Sequence, residues 1–164
     1  MPAPRQVEAP ARPAEERLVC FWLGEQLFGA PIRFVRETVR LRPITRVFHT
    51  PDFIAGLASL RGEILAVLDI ARLLGLPATP LDHDTHILIV ECAKKRAGVL
   101  ADRLSEVRDI EPGALSPPPP TFEPSVAANL RGVVSLPEAP LGVIDLERIF
   151  ASEELRRYER KGAS

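Results

Sequence analysis

The sequence predicts a mainly β protein: two pseudo-repeated five-stranded barrels packed together, with short helices and a C-terminal helix. Three features of the 164 residues carry that expectation. The apolar runs are short, rich in Val, Ile and Leu, and bounded by Gly or Pro, as buried strands are. They come as strand–turn–strand pairs, once near residue 20 and again near residue 90. The pairs open a longer unit that occurs twice, in copies of roughly 60–65 residues, and such self-similarity fixes an architecture. A sheet of that size buries little alone. Closing each copy into a barrel removes its edges, and packing the two together adds core.

Taken in order, LVCFWL (18–23) is a strand, GEQ (24–26) a turn, and LFGAPI (27–32) the return strand. HILIVECA (86–93), a KKR turn (94–96) and AGVLAD (97–102) repeat that pattern, and EILAVLDI (63–70) and LGVIDLERIF (141–150) are further buried runs. Two stretches have helical spacing. In IRFVRETVRL, Ile32, Val35 and Val39 share a face, and in ADRLSEVRDI, Ala101, Leu104 and Val107 predict one short turn. At an offset of 69, Gly29 falls on Gly98, Val35 on Leu104 and Glu37 on Glu106. At 70, Leu60-Arg61-Gly62 falls on Leu130-Arg131-Gly132. LDIARLL (68–74) then matches IDLERIF (144–150) once an extra loop around Pro137–Pro140 is allowed. Residues 1–16, with Pro2, Pro4, Pro10 and Pro13, read as a disordered tail, because they cannot bury enough apolar surface to offset their ordering entropy. Ser152, followed by Glu153 and Glu154, suits the start of a short terminal helix, and 158–164 read as a flexible C-terminus.

Composition excludes several classes. The 21 basic and 22 acidic residues leave a net charge of −1, which argues against binding nucleic acid by bulk charge. No apolar run reaches the ~18 residues that span a membrane, so no direct membrane insertion is expected. The N-terminus has no apolar core, and Cys20 and Cys92 are too few for a disulfide framework, which together predict a cytoplasmic protein. Both cysteines read as core packing and His49 as a surface group. DHDTH (82–86), with His83 and His86, reads as a solvated loop rather than a metal site. Asp69 and Asp145, each ending an apolar strand, read as caps of the helices that follow. There is no phosphate-cradling glycine motif and no G-x-S-x-G elbow, so neither catalysis nor a cofactor is expected. Each Leu-Arg-Gly reads as a turn whose Gly relieves backbone strain and whose Arg bonds a neighbouring carbonyl or carboxylate.

The stretch 44–75 also resembles the signature of the CheW family of bacterial chemotaxis coupling proteins. That signature is a prolyl turn, then I-x-G-L-x-N-L-R-G, then an apolar strand ending in D-L. Pro51, Ile54, Gly56, Leu57, Leu60, Arg61, Gly62 and Asp69 stand in those places, with Ser59 where the family usually has Asn. The likeness extends to VRE (35–37), GVLAD (98–102), LRG (130–132) and SEEL (152–155), while Pro117–Pro120 and the Pro-rich tail depart from it. It implies one CheW-like domain over 17–157, made of two interleaved barrel subdomains meeting near 76–86. It implies a non-enzymatic scaffold joining the regulatory domain of a CheA-type histidine kinase to the cytoplasmic tip of a methyl-accepting chemotaxis receptor. Partner contacts are implied at Val35, Glu37, Gly56, Leu60, Arg61, Gly62 and Gly98. The rival readings are a related adaptor in a non-chemotactic pathway (surface motility, development or a second messenger) and a small ligand-binding barrel.

Overall fold

A computed structural model describes residues 16–111 and 113–152. Ten strands form two five-stranded sheets. The strands are β1 (Glu16–Leu23), β2 (Gln26–Pro31), β3 (Val35–Arg40), β4 (Ile54–Leu60), β5 (Glu63–Leu68), β6 (His86–Cys92), β7 (Lys95–Ala101), β8 (Arg103–Ile110), β9 (Leu130–Ser135) and β10 (Pro140–Ile144). The first sheet runs β8-β1-β2-β10-β9 and the second β3-β6-β7-β5-β4. The repeat therefore exchanges strands: each sheet joins the opening hairpin of one copy to three strands of the other. Gly29 pairs with Cys20 and Val143, and Gly98 pairs with Ile89 and Val67, so the two sheets share one register.

Burial on both faces explains the unbroken apolar runs. In β1, Leu18 and Cys20 point into a small core wrapped by the first sheet, while Val19, Phe21 and Leu23 point into a larger core between the sheets. In β6, Ile87 and Ile89 line the second sheet's own core, and Leu88, Val90 and Cys92 face the shared one. Both cysteines are buried, as expected, but in different cores.

The barrels are not closed. No described ladder joins β3 to β4 or β8 to β9; the result is two curled sheets packed on each other. A strap crosses each seam instead. Thr45 exchanges two backbone hydrogen bonds with Leu57, and Ser116 exchanges two with Val133.

Both stretches with helical spacing are strands. Residues 32–34 make one 3-10 turn, then β3 alternates, with Val35, Glu37 and Val39 more enclosed than Arg36, Thr38 and Arg40. The apolar residues at 35 and 39 suit period two as well as period four, and antiparallel pairing with β6 and β1 decides for strand at β3 and β8. LGVIDLERIF divides into β10 and a helix, α3 (Leu146–Phe150); the other helices are α1 (Ile70–Leu73) and α2 (Pro124–Ala127). The KKR turn lies earlier, at Ala93-Lys94, with Cys92 paired to Lys95. Glu16, expected in the disordered tail, instead opens β1 opposite Ile110; residues 1–15, the expected helix after Ser152 and the C-terminus lie outside the described residues.

The repeat is real, but its two Leu-Arg-Gly motifs are not equivalent. Ile54 pairs with Leu68, and Leu130 pairs with Ile144; Gly56 pairs with Val67, and Gly132 with Val143. Residue 54 thus corresponds to 130, a spacing of 76 rather than 70. The added length lies in the Pro-rich connector before β9, not in the β9–β10 turn. Gly56 and Gly132 answer the same need. A Cβ on Gly56 would lie 2.3 Å from the Thr45 carbonyl oxygen, and one on Gly132 would lie 2.8 Å from that of Ser116. Only glycine lets the strap approach the strand so closely. Arg131 consequently occupies a β-bulge at the start of β9, equivalent to Ala55, and not a turn.

Candidate functional site

The first Leu-Arg-Gly is the turn joining β4 to β5. Leu60 pairs with Glu63, leaving Arg61 and Gly62 as a two-residue loop with φ of 52° and 84°. Positive φ at both central residues is the type I′ geometry that matches strand twist, and Gly62 adopts it without penalty. Leu60 anchors the turn from within, 8% exposed in the second sheet's core. Arg61 projects outward with 71% of its side chain exposed.

Arg61 donates to the Glu37 carboxylate on β3. Strands β3 and β4 are the opposite edges of this sheet, so the pair spans the seam beside the strap. A second ion pair pins the same turn: Arg96 on β7 donates to Glu63 at 2.7 Å and approaches Glu91 at 3.5 Å. Arg36 completes the row, donating to Glu91 at 3.2 Å. Exposed pairs of this kind contribute little stability, at most about 1 kcal/mol each. What they do is hold a charged, polar tip in one orientation.

Of the seven residues the resemblance implied, Glu37, Arg61 and Gly62 meet at this tip. Val35 is half-buried and packs on the shared core, two residues along β3 from Glu37. Gly56, Leu60 and Gly98 are interior. A Cβ on Gly98 would lie 2.6 Å from Ile87 Cγ2, so its place is set by packing. Ile64 was hidden in the apolar run 63–70, yet it is 69% exposed next to the tip. Its signal was positional: it is the solvent-facing member of an edge hairpin.

The other candidates have structural roles. Arg131 donates to Glu16 at 2.9 and 3.1 Å, and Arg33 donates to the same carboxylate, tying β9 and the 3-10 turn to β1. Asp145 caps α3 by accepting from the Arg148 amide at 3.0 Å. Asp69 does not cap α1. Its carboxylate is buried and accepts from the Thr79 amide at 3.1 Å, and desolvation raises its pKa. Desolvation also pushes the Cys20 thiol up to about 11, far from a reactive thiolate. Among the described residues no group of three metal-ligating side chains converges, and no helix is long and apolar enough to cross a membrane.

Two curled five-stranded sheets thus carry a charged hairpin tip across one seam. The CheW-like domain family matches residues 17–154. Protein FrzA from Myxococcus xanthus is 36% identical over 130 residues, covering 79% of this chain and 80% of that protein. Chemotaxis protein CheW from Klebsiella aerogenes is 27% identical over 140 residues, covering 85% and 84%. The crystal structure of the scaffolding protein TtCheW from Thermoanaerobacter tengcongensis superposes with a TM-score of 0.76 at 31% identity, covering 87% of this chain and 92% of that one. The chain belongs to the CheW family.

Proposed function

We propose that this chain is a non-enzymatic cytoplasmic adaptor that couples methyl-accepting chemotaxis receptors to a CheA-type histidine kinase. The observation that carries the reading is the family signature turn, held as an exposed tip with Arg61 joined to Glu37. A guanidinium and a carboxylate fixed by neighbouring ion pairs set docking register, while Ile64 and Val35 supply apolar contact nearby. Gly56, Leu60 and Gly98 act from inside, shaping the surface without touching the partner. No cofactor takes part.

Arg61→Ala tests this. Its folding stability should stay within about 1 kcal/mol of wild type, while affinity for receptor or receptor–kinase complex falls by roughly 1–3 kcal/mol. Arg131→Ala should do the reverse, because it frees Glu16 from one of its two cations. Loss of folding in Arg61→Ala, or unchanged affinity, refutes the assignment of the tip. A second reading is favoured by the 36% identity to FrzA: the same adaptor chemistry serving a pathway other than chemotaxis. Identification of the receptor and kinase that co-purify with the chain separates the two.

A further inference from the structure

Two segments of this chain depart from the family signature, the Pro-rich tail and the Pro117–Pro120 connector. The connector has a structural product. It leads into Thr121, Phe122 and Glu123, where the Phe122 amide donates to the Pro119 carbonyl at 3.0 Å. The Ser125 hydroxyl ties the start of α2 down to the Leu74 carbonyl at 2.8 Å. Between these residues, the β1–β2 turn and the start of β10 lies an open cleft of about 390 Å³. Its walls are apolar: Phe28 and Val126 are buried, and Phe122 is half-buried. Its rim is anionic. Glu25 and Glu123 line it, both exposed, and neither has a cationic partner among the described residues. By contrast, Glu16, Glu37, Glu63, Glu91 and Glu138 each meet an arginine.

The start of the chain has the matching chemistry. Residues 1–7, MPAPRQV, carry Arg5 and no carboxylate side chain. Pro2 and Pro4 favour an extended polyproline II backbone, and Pro-rich segments of that form dock in aromatic-lined grooves. The reach is sufficient. Glu16 opens β1, and the cleft lies beyond the other end of that eight-residue strand, beside Glu25. At ~3.3 Å per residue the strand is about 23 Å long. Arg5 precedes Glu16 by eleven residues, about 34 Å of polyproline II, which leaves length to follow the curved surface. Arg12 precedes it by four, about 12 Å, and falls short.

We propose that residues 1–7 seat in the cleft of their own chain, Pro2 and Pro4 against Phe28 and Phe122, with the Arg5 guanidinium facing the Glu25 and Glu123 carboxylates. Tethering holds the segment near the cleft at millimolar effective concentration, so even a contact too weak to persist between separate molecules is populated. A segment with too little apolar surface to fold alone borrows a wall from the fold. The two departures from the family are then the two sides of one contact, and a partner that uses this face must displace the segment first. This inference stands apart from the adaptor reading.

The test uses the full chain with a nitroxide attached through Ala3→Cys. Cys20 and Cys92 are buried, so the label goes to the introduced thiol. In the NMR spectrum, the amide signals of Gly24, Gln26, Thr121 and Phe122 should weaken several-fold when the nitroxide is oxidised, while those of the Arg61–Gly62 turn should not. Arg5→Glu should restore the cleft signals, and Arg12→Glu should leave them weakened. Glu25→Arg with Glu123→Arg should also restore them, and adding Arg5→Glu to that pair should weaken them again. Salt at about 0.5 M, where screening is short-ranged, should reduce the effect. Broadening confined to the surroundings of Glu16, Arg33 and Arg131 would show a tail that does not dock and would overturn the proposal. So would cleft broadening that survives Arg5→Glu or vanishes equally with Arg12→Glu. Mixing nitroxide-labelled chain with isotope-labelled chain that carries no nitroxide should leave the cleft signals intact; weakening there would place the segment in another copy and overturn the assignment to its own chain. Should the Glu25 and Glu123 variant unfold, Arg5→Glu, which lies outside the two sheets, still decides.

Discussion

The close approach of each strap to its strand predicts an unequal response of three glycines to alanine. At Gly56 the new methyl would lie 2.3 Å from the Thr45 carbonyl oxygen and 2.7 Å from Ile44 Cγ2, on a backbone with φ of 150°. Overpacking of this kind costs about 1–3 kcal/mol, and the unfavourable φ adds about 1 kcal/mol. Gly56→Ala should therefore lose roughly 2–4 kcal/mol. Gly132→Ala meets Leu115 Cγ at 2.6 Å and the Ser116 oxygen at 2.8 Å, so it should lose about 1–3 kcal/mol. At Gly62 nothing lies within 4 Å, and only its φ of 84° penalises a side chain, so Gly62→Ala should lose only about 1 kcal/mol. Urea denaturation of the full chain, with midpoint and slope fitted together, measures all three. If Gly62→Ala and Gly132→Ala match while Gly56→Ala is mild, the two Leu-Arg-Gly motifs are equivalent after all, and the 76-residue correspondence fails.

Two further substitutions probe local strain and burial. Asp69 is buried, its Oδ1 has no hydrogen-bond partner among the described residues, and its pKa is raised by desolvation, so the folded state gives up its proton at a higher pH than the unfolded chain does. Its charge then destabilises at neutral pH, and stability recovers as pH falls through the carboxylate range. Asp69→Asn should melt above wild type at pH 7, and the gap should close toward pH 4; a gap constant with pH contradicts this. Ala93 sits in the β6–β7 turn at φ 53°, with a Cβ and no glycine's freedom. Ala93→Gly should stabilise by about 0.5–1 kcal/mol after the larger entropy of the unfolded Gly is deducted, read as a higher urea midpoint. A lower midpoint would show that the turn carries no strain.

Hairpins were the most legible part of the sequence. LVCFWL-GEQ-LFGAPI and HILIVECA-KKR-AGVLAD are β1–β2 and β6–β7, displaced by a residue or two at the turns, because double-sided burial writes a continuous apolar run. The edge strands β3 and β8 were not legible as strands. Their outer faces carry Arg36 and Arg40, or Arg103 and Asp109, and their few apolar residues suit either period. The exchange of strands between repeats left no local signature, since β1 looks the same whichever copy supplies its neighbour. The Leu-Arg-Gly motif misled because glycine meets two different demands: positive φ in the turn at Gly62, and room for a crossing strap at Gly132. The site was legible as residues but not as geometry. Glu37 and Arg61 were singled out separately, and only the curl of the sheet brings opposite edges together as an ion pair. Ile64 and Phe48 stayed hidden, since an apolar residue reads as core until a structure shows which way it faces.

The most direct test of the adaptor role is a co-sedimentation assay with receptor-bearing membranes and the histidine kinase of the same organism. The fraction of kinase that pellets is measured with and without this chain. Coupling predicts that the kinase pellets with receptors only when the chain is present, and that Arg61→Ala, folded normally, lowers that fraction several-fold. Kinase recovery that is the same without the chain, or a chain that stays in the supernatant with both partners present, would contradict the account.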